Sequence, residues 1–303
     1  MLSTAFVVVL LAATAIAFAL TEGVKLERTP IFGTSVDPVF SPDCGCRTRA
    51  ARIDFRLRRR ERLTVWMERG DERVRTLVPG RTYRPGRVRL LFDGVGDDGT
   101  TLPDGIYKPV VHLGQSHRTI TLPNPIRLDT KPPVVRVAHA QHAVISPDGD
   151  GRRDSFRFTY AVSEPAHAIL IVDDTQVVFT YRKPLRSTIA WNGRIRGRRA
   201  RPGNHVLELS AQDVAGNRAR PVPFAVVQIR FVALGRKRVL VRPGGRFAIR
   251  VSADAARVRW LLHGRTGLAR PGTLHLRAPR SQGVYRLYVT AAGHAAKATV
   301  VVA

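Results

Sequence analysis

Two stretches of this chain resemble each other at a separation of about 100 residues, a spacing that predicts tandem domains rather than a solenoid of short repeats. One begins at Val39 (VFSPDCGCRTRAARIDFRL) and the other at Val144 (VISPDGDGRRDSFRFTYAV). Both open on Ser-Pro-Asp, pass through a loop of small residues and continue into alternating polar and apolar residues. Two further pairs match in the same order: Leu91–Gly94 with Ala190–Gly193, and Leu102–Tyr107 with Ala200–His205.

Short alternating segments separated by turn residues indicate that each repeat is a small β-sandwich. Asp-Gly and Asn-Gly pairs tolerate the positive φ that tight hairpin turns need. Four such pairs separate the segments: Asp93-Gly94, Asp98-Gly99, Asp104-Gly105 and Asn192-Gly193. A third unit, rich in Val and Arg, follows at Val226–Ala303 and alternates in the same way. We expect Trp66, Trp191 and Trp260 to fill the three cores, one in each, and favour this over the alternative that they stack on ligands.

Proline-rich stretches indicate where one domain ends and the next begins. Paired prolines stiffen a connection and cannot lie in a central strand. Such stretches occur at Leu128–Pro133 and near Arg220–Pro223. The sequence therefore predicts an all-β chain with three sandwiches, after an N-terminal segment at residues 1–26: residues 27–130, 131–224 and 225–303.

The N-terminal segment is almost wholly apolar. Leu2–Leu20 carries no charge and is long enough to cross a bilayer as a helix. Ala17-Phe18-Ala19 offers an alternative, the cleavage site of a secretory signal peptide. No basic residue precedes the apolar stretch, which is also longer than a usual signal core, and both features favour an uncleaved anchor. We therefore predict a single-pass cell-membrane protein with extracytoplasmic β-domains, or a secreted protein if the segment is cleaved.

Several motifs resemble bacterial immunoglobulin-like modules. Phe92–Gly99 followed by Leu102–Tyr107 resembles the immunoglobulin-like domain of the flagellar hook-cap protein, a module that recurs in bacterial surface and secreted proteins. Ile145–Gly151 resembles the start of the related modules at the C-termini of secreted bacterial proteins, and Asp213–Asn217 is similar to their terminal strand and turn. The resemblance covers residues 36–225 and implies immunoglobulin-like sandwiches. It leaves the function open, because such modules serve as spacers, adhesins and assembly parts alike.

The chain is strongly basic, with 50 Lys and Arg against 23 Asp and Glu and a formal net charge of +27. Many arginines alternate with apolar residues, as in Arg56-Leu57-Arg58 and Arg257-Val258-Arg259. This alternation predicts guanidinium groups on the solvated faces of strands. We expect weak attraction, spread over the three domains, to anionic envelope polymers or lipid headgroups, or to an envelope protein that is not identified. The alternative is nucleic-acid binding, which usually requires cations concentrated on one element with interleaved aromatic residues.

Cys44 and Cys46 are the two cysteines of the chain. In an oxidising compartment a Cys-Gly-Cys disulfide is feasible and would fix the loop locally, since so small a ring removes little chain entropy. Metal binding would need two further ligands, and a redox role usually takes the C-x-x-C spacing. We therefore favour a local disulfide. The two cysteines align with Gly149 and Gly151 of the second repeat.

The loop at residues 148–154 has the composition of a calcium-binding loop. Asp148, Asp150 and Asp154 surround a glycine, and carboxylates in this spacing can ligate Ca²⁺. The distal Glu of an EF-hand is absent, however, and Arg152 and Arg153 lie inside the loop. A plain Asp-Gly turn is therefore favoured over a metal site, with these three carboxylates as the candidate ligands.

The sequence contains no recognisable catalytic motif. Its nine histidines are dispersed, and H-E-x-x-H, G-x-S-x-G and the glycine-rich phosphate and dinucleotide motifs are absent. We therefore predict a non-enzymatic, membrane-anchored structural or binding scaffold of the cell envelope, without an organic cofactor.

Overall fold

The computed structural model describes residues 6–7, 9–16, 29–138 and 140–303, with the side chains of residues 140–142 left out. The chain divides into two compact units, residues 1–130 and 131–303. The first unit contains one β-sandwich, called sandwich 1 (residues 29–130). The second contains two, called sandwich 2 (residues 131–231) and sandwich 3 (residues 232–303), each with its own apolar core.

Sandwich 1 has nine strands and one short 3₁₀-helix at Pro42–Cys44. The strands are β1 (Ile31–Val36), β2 (Val39–Phe40), β3 (Ala51–Leu57), β4 (Glu61–Arg69), β5 (Glu72–Tyr83), β6 (Gly86–Phe92), β7 (Gly105–Leu113), β8 (Arg118–Thr121) and β9 (Ile126–Leu128). One sheet has the order β1-β3-β6 and the other β2-β9-β7-β4-β5, with β8 also paired to β7. The core lies between the sheets and includes Phe40, Phe55, Phe92 and Tyr107.

Sandwich 2 repeats this arrangement. Its strands are β10 (Val135–Val137), β11 (Ala140–Ile145), β12 (Phe156–Val162), β13 (Ala166–Val172), β14 (Thr175–Phe179), β15 (Arg186–Trp191), β16 (Arg194–Ile195), β17 (Arg198–Arg199), β18 (Gly203–Asp213) and β19 (Val222–Ile229). The two large sheets have the orders β10-β12-β15 and β11-β19-β18-β13-β14, and β16-β17 forms a small ribbon.

Sandwich 3 has the same plan in fewer residues. Its strands are β20 (Val232–Leu234), β21 (Arg238–Val241), β22 (Arg246–Ala253), β23 (Val258–Leu262), β24 (Arg265–Ala269), β25 (Gly272–Arg277), β26 (Gly283–Ala291) and β27 (His294–Val302). The sheets have the orders β20-β22-β25 and β21-β27-β26-β23-β24.

The strand order shows that all three sandwiches are immunoglobulin-like. In each one, a three-stranded sheet faces a sheet of five or six strands, and the second strand pairs in parallel with the last: β2 with β9, β11 with β19 and β21 with β27. All other pairings are antiparallel, as expected for this fold. The predicted all-β fold of tandem immunoglobulin-like sandwiches is confirmed, including the third unit, which was predicted from its pattern alone.

A hydrogen bond to the preceding turn recurs at the third residue of an equivalent strand in each sandwich. Tyr107 donates from its hydroxyl to the carbonyl of Pro103, and Tyr285 does so to that of Ser281 at 3.0 Å. In sandwich 2 the residue is His205, whose Nε2 lies 2.8 Å from the carbonyl of Arg201. Each of these residues fixes a corner of its sandwich, as the tyrosine corner does in immunoglobulin-like folds.

The predicted boundary between residues 224 and 225 falls inside strand β19 and is wrong. That strand continues to Ile229. The side chains of Phe224, Val227 and Ile229 belong to the core of sandwich 2. Pro223 is tolerated in the strand because its pairing with Glu208 lies at a register shift. The partner β11 begins to pair with β19 only at Ala225, so Pro223 lies on a local sheet edge.

The prediction for the tryptophans holds for Trp191 and in part for Trp260. Trp191 is buried in its core. Trp66 lies on the outer face of its sheet, since its neighbours Val65 and Met67 are buried and strand side chains alternate between faces. Trp260 packs against the core of sandwich 3 and is only partly exposed.

Part of the predicted N-terminal anchor lies outside the described residues. Residues 6–7 and 9–16 are helical, and the rest of residues 1–26 is not described. Among the residues that the structure describes, no helix is both long and apolar enough to cross a membrane.

Candidate anion-binding site

The positive charge of the chain is concentrated in sandwich 3. Residues 232–303 contain 14 Lys and Arg against a single acid, Asp254, for a net charge of +13. Sandwich 1 contains 18 Lys and Arg against 12 acids, and sandwich 2 contains 16 against eight. The shortest of the three sandwiches therefore holds about half of the chain's net charge.

Sandwich 1 pairs many of its cations internally. Arg52 binds Asp37 at 2.9 Å, and Arg87 and Arg89 both approach Asp54. Burial by itself would raise the pKa of Asp37, but hydrogen bonds from the side chain and the backbone N–H of Arg52 outweigh it and hold that pKa below its ordinary value. Arg59 lies 3.3 Å from Glu61, whose side chain is fully buried.

Sandwich 3 forms no ion pair among the residues that the structure describes. Its single acid, Asp254, has one carboxylate oxygen buried without a hydrogen-bond partner. The guanidinium groups of sandwich 3 are thus left to solvent or to an external anion.

A cleft of about 730 Å³ opens between the two sheets of sandwich 3. Its walls come from β22, β23, β24 and β25: Arg246, Phe247, Ala248, Trp260, Leu262, Arg265, His275, Leu276 and Arg277. The cleft exists because five strands face only three, so the inward side chains near β24 lack a covering strand. The floor is apolar, and all the ionisable groups in the lining are Arg or His.

Trp260 is held in this cleft by the glycine opposite it. The two residues are cross-strand partners on β23 and β24, and a Cβ atom added at Gly267 would lie 2.7 Å from the indole ring. Only a residue without a side chain therefore permits this ring position.

The three tryptophans differ in what their indole N–H groups bind. Trp66 donates to Glu68 at 2.7 Å and is covered by the guanidinium of Arg73, and Trp191 donates to the carbonyl of Arg194 at 2.9 Å. The indole N–H of Trp260 has no partner within the described part of the chain. Both the ring and the donor of Trp260 are therefore available to a ligand.

Two arginines at the cleft oppose each other directly. Arg246 and Arg277 are cross-strand partners on β22 and β25, one step from the partners Phe247 and Leu276. Like charges placed opposite each other destabilise a sheet. An anion bound between them would remove this repulsion, and a carboxylate fits the planar fork of a guanidinium group.

The structure brings the three predicted metal-binding carboxylates together. One oxygen of each of Asp148, Asp150 and Asp154 lies within 4.8 Å of the others. The Asp154 carboxylate accepts the N–H groups of Gly149 and Gly151, at 2.8 and 2.7 Å. Burial raises the pKa of Asp148, and the charges of the other two carboxylates raise it further, although the Asp150 N–H opposes them. The backbone bonds are those of an Asp-Gly turn, and Ca²⁺ binding stays a prediction.

Cys44 and Cys46 are joined by a disulfide in the structure, with their Cα atoms 5.1 Å apart. The Cys46 N–H lies 3.2 Å from Sγ of Cys44, and the Thr48 hydroxyl lies 3.0 Å from Sγ of Cys46. The bond closes a turn between β2 and β3. Its oxidation in the native compartment stays a prediction.

The sequence patterns predicted neither the concentration of charge in sandwich 3 nor the partial exposure of Trp260. Counting charges for each predicted domain, instead of for the whole chain, would have revealed the first. The second carried no such signal, because Val258, Trp260 and Leu262 alternate as core residues do. Whether an inward side chain is covered depends on the number of strands in the opposite sheet.

No protein-family model matches this sequence, and no curated protein matches it. Among solved structures, the fibronectin(III)-like modules of Clostridium thermocellum CbhA align with 65% of this chain and 94% of their own, at 16% identity and a TM-score of 0.36. An I-band fragment of titin aligns with 91% of this chain and 98% of its own, at 10% identity and a TM-score of 0.33. These likenesses carry no functional argument, and the fold assignment rests on the strand order described above.

Proposed function

We propose that this chain is a non-enzymatic, membrane-anchored protein of the cell envelope that binds anionic polymers through sandwich 3. The observation that carries the proposal is the composition of residues 232–303, with 14 cations against one acid. Unpaired surface cations repel one another, and a cationic domain gains free energy when it binds a polyanion. Sandwiches 1 and 2 serve as the scaffold.

The described helical residues support the anchor. Large apolar side chains of this helix are all more than half exposed: Phe6, Val7, Val9, Leu10, Leu11 and Ile16. Exposed apolar surface of this kind indicates contact with lipid or with a partner. Together with the uncharged Leu2–Leu20 stretch, it favours a membrane-held protein with its β-domains outside the cytoplasm.

The proposed ligands are anionic wall polymers or anionic lipid headgroups. Contacts between exposed charges are individually weak and are screened over roughly 8 to 10 Å at physiological ionic strength. Binding should therefore weaken as salt is added. The hook-cap resemblance of the first two sandwiches adds no ligand, since such modules act equally as spacers and as binding parts.

The test compares two variants of the full chain, each of which loses four positive charges. One variant changes Arg238, Arg259, Arg270 and Arg280 of sandwich 3 to Gln; its control changes Arg49, Arg60, Arg81 and Arg84 of sandwich 1 to Gln. Binding to an acidic polysaccharide and to vesicles with anionic lipid would be measured at low and at physiological salt.

We expect the sandwich 3 variant to lose roughly tenfold or more in affinity, about 1.4 kcal/mol, and the control less than half of that free energy. Equal losses would show that the charge acts through the whole chain and would contradict the assignment to sandwich 3. Tight, sequence-selective binding to DNA would favour the nucleic-acid alternative instead.

A further inference from the structure

The cleft of sandwich 3 has the size and composition of a ligand site. Small-molecule sites commonly enclose about 300 to 1,000 Å³ and combine an apolar lining with a few polar groups. This cleft encloses about 730 Å³ and combines Trp260, Phe247, Leu262 and Leu276 with arginines. Charge alone would need no cleft, since an anion can also bind to cations on an open face.

Trp260 offers a flat aromatic wall whose position is already fixed. Gly267 lies against one face of the indole, so the ring cannot shift toward β24 when a ligand binds. The ring is partly exposed, and its N–H has no partner in the described structure. The C–H groups on one face of a sugar ring pack well on such a surface, because the face of an aromatic ring carries partial negative charge.

The cations at the cleft select for a negative ligand. Arg246, Arg265 and Arg277 line it together with His275, and no carboxylate does. The opposed Arg246 and Arg277 are the natural partners of a carboxylate, which accepts hydrogen bonds from guanidinium groups in pairs. The ligand should therefore carry its charge close to the ring that packs on Trp260.

Nucleic acid fits these features less well. Proteins that bind single strands provide a series of aromatic platforms along a basic groove, one for each stacked base. Of the two large aromatic rings that line this cleft, Trp260 is partly exposed, whereas Phe247 is only 9% exposed. One platform beside a pair of arginines suits one charged ring of a polymer.

We infer that the cleft binds a hexuronic acid unit of an acidic polysaccharide, with the sugar ring on Trp260 and the carboxylate at Arg246 and Arg277. This inference rests on the proposed function and deepens it. Sandwich 3 attracts the polymer through its distributed charge, and the cleft recognises a single unit of it.

Three polymers separate the contributions of ring and charge. Polygalacturonate has both the sugar ring and the carboxylate. Its methyl ester keeps the ring and loses the charge, and polyacrylate keeps the carboxylates and lacks the ring. Binding of the full chain to each would be measured by calorimetry, with poly(dT) as the nucleic-acid comparison. We expect polygalacturonate to bind the tightest of the four.

Matched variants assign the effect to the cleft. Trp260→Ala should weaken polygalacturonate binding roughly tenfold, as for a central aromatic anchor, and leave polyacrylate binding unchanged. Trp66→Ala, which removes another partly exposed tryptophan, is the control and should change the binding of neither polymer. Arg246→Gln with Arg277→Gln should weaken polygalacturonate binding more than Arg238→Gln with Arg259→Gln, which removes the same charge from outside the cleft. If circular dichroism shows that the alanine variant is unfolded, Trp260→Leu replaces it, because leucine keeps an apolar side chain against Gly267.

The outcomes distinguish this inference from the proposed function. If polyacrylate binds as well as polygalacturonate and Trp260→Ala acts like Trp66→Ala, the cleft inference is wrong while the charge-based function stands. If none of the polyanions binds, the proposed function fails as well. If poly(dT) binds the tightest and Trp260→Ala weakens it, the cleft takes single-stranded nucleic acid and the sugar assignment is wrong.

Discussion

Sandwich 1 and sandwich 3 share one strand order and treat their arginines in opposite ways. Sandwich 1 places Arg52, Arg87 and Arg89 beside the carboxylates of Asp37 and Asp54. Sandwich 3 has more cations for its length than either of the other sandwiches but only one acid. Strand alternation keeps the guanidinium groups on solvated faces in both cases.

The difference shows that the fold does not determine the use of the charge. Cations that are paired within a domain contribute modestly to its own stability. Cations left unpaired cost stability through mutual repulsion and become useful only when an anion binds. Under the proposed function, sandwich 1 is a self-sufficient scaffold domain and sandwich 3 is completed by its ligand.

Acid should separate the two sandwiches most strongly. Protonation of its 12 acids would take sandwich 1 from +6 to +18, whereas sandwich 3 would change only from +13 to +14. In sandwich 1 the pKa of Asp97 is also lowered, by hydrogen bonds from the backbone N–H and the hydroxyl of Thr76. A lowered pKa stabilises the folded state above the ordinary value, and this contribution is lost as the pH falls through the folded pKa.

We expect sandwich 1 to lose stability as the pH falls from about 5 to about 2, and sandwich 3 to lose far less. Hydrogen exchange of the full chain, corrected for the intrinsic rate at each pH, would report the protection of peptides from each sandwich. Earlier loss of protection in sandwich 3 would contradict the comparison.

The next expected effect is on stability, and it compares one carboxylate of sandwich 1 with the single carboxylate of sandwich 3. Glu61 is fully buried and accepts hydrogen bonds from the Ser116 hydroxyl, the Gln115 N–H at 3.2 Å and Arg59 at 3.3 Å. Glu61→Gln should cost about 2 kcal/mol, because it removes a charged acceptor from buried donors. Asp254→Asn should change stability by less than about 0.5 kcal/mol, since one oxygen of Asp254 is buried without a partner.

Urea unfolding of the full chain, followed by exchange protection in each sandwich, would measure both variants. Equal losses would mean that the single acid of sandwich 3 is as well integrated as Glu61. That result would weaken the view that sandwich 3 lacks internal charge pairing.

A smaller effect is expected at the corner tyrosines. Tyr107 is fully buried, and its hydroxyl donates to the carbonyl of Pro103. Tyr107→Phe should cost about 1 kcal/mol, because the carbonyl loses its partner inside the domain. Tyr285 is half-exposed and its hydroxyl also contacts the Ser281 side chain, so water can replace it and Tyr285→Phe should cost less. Thermal unfolding with exchange as the readout would compare them, and a larger loss at Tyr285 would contradict this ranking.

Local sequence signals predicted the fold because they arise from backbone geometry. Gly94 and Gly193 occupy matching positions of the repeat, and both adopt a positive φ. A Cβ at Gly94 would approach Leu128 to 3.0 Å, and one at Gly193 would approach Pro147 to 2.7 Å. Turn residues thus fix the chain reversals within each repeat, and the repeat predicts the sandwiches.

Features that depend on neighbouring strands could not be predicted in the same way. Pro223 resembles a linker residue in sequence, yet it lies in β19 because only one neighbour pairs with the strand at that point. Trp66 and Trp260 both read as core residues. Trp66 points to solvent because of its register. Trp260 is partly exposed because the opposite sheet has only three strands. Register and sheet width emerge only when the whole sandwich is assembled.

The smallest effect should come from reducing the disulfide of sandwich 1. Cys44 and Cys46 close a ring of three residues, so the bond removes little entropy from the unfolded chain. Sandwich 2 folds the aligned loop with Gly149 and Gly151 and no cross-link, and sandwich 3 has no cysteine and serves as the internal control. We expect reduction to cost sandwich 1 less than about 1 kcal/mol and to leave the protection of sandwich 3 unchanged.

Alkylation without reduction, followed by mass spectrometry of protein from its native compartment, would first establish the oxidation state. Two labelled thiols would contradict both the disulfide and the oxidising compartment on which the envelope assignment depends. If the bond is present but its reduction unfolds sandwich 1, the loop between β2 and β3 contributes far more than its ring size implies. Sandwich 1 would then depend on a covalent constraint, and its contrast with the proposed ligand-completed sandwich 3 would no longer hold.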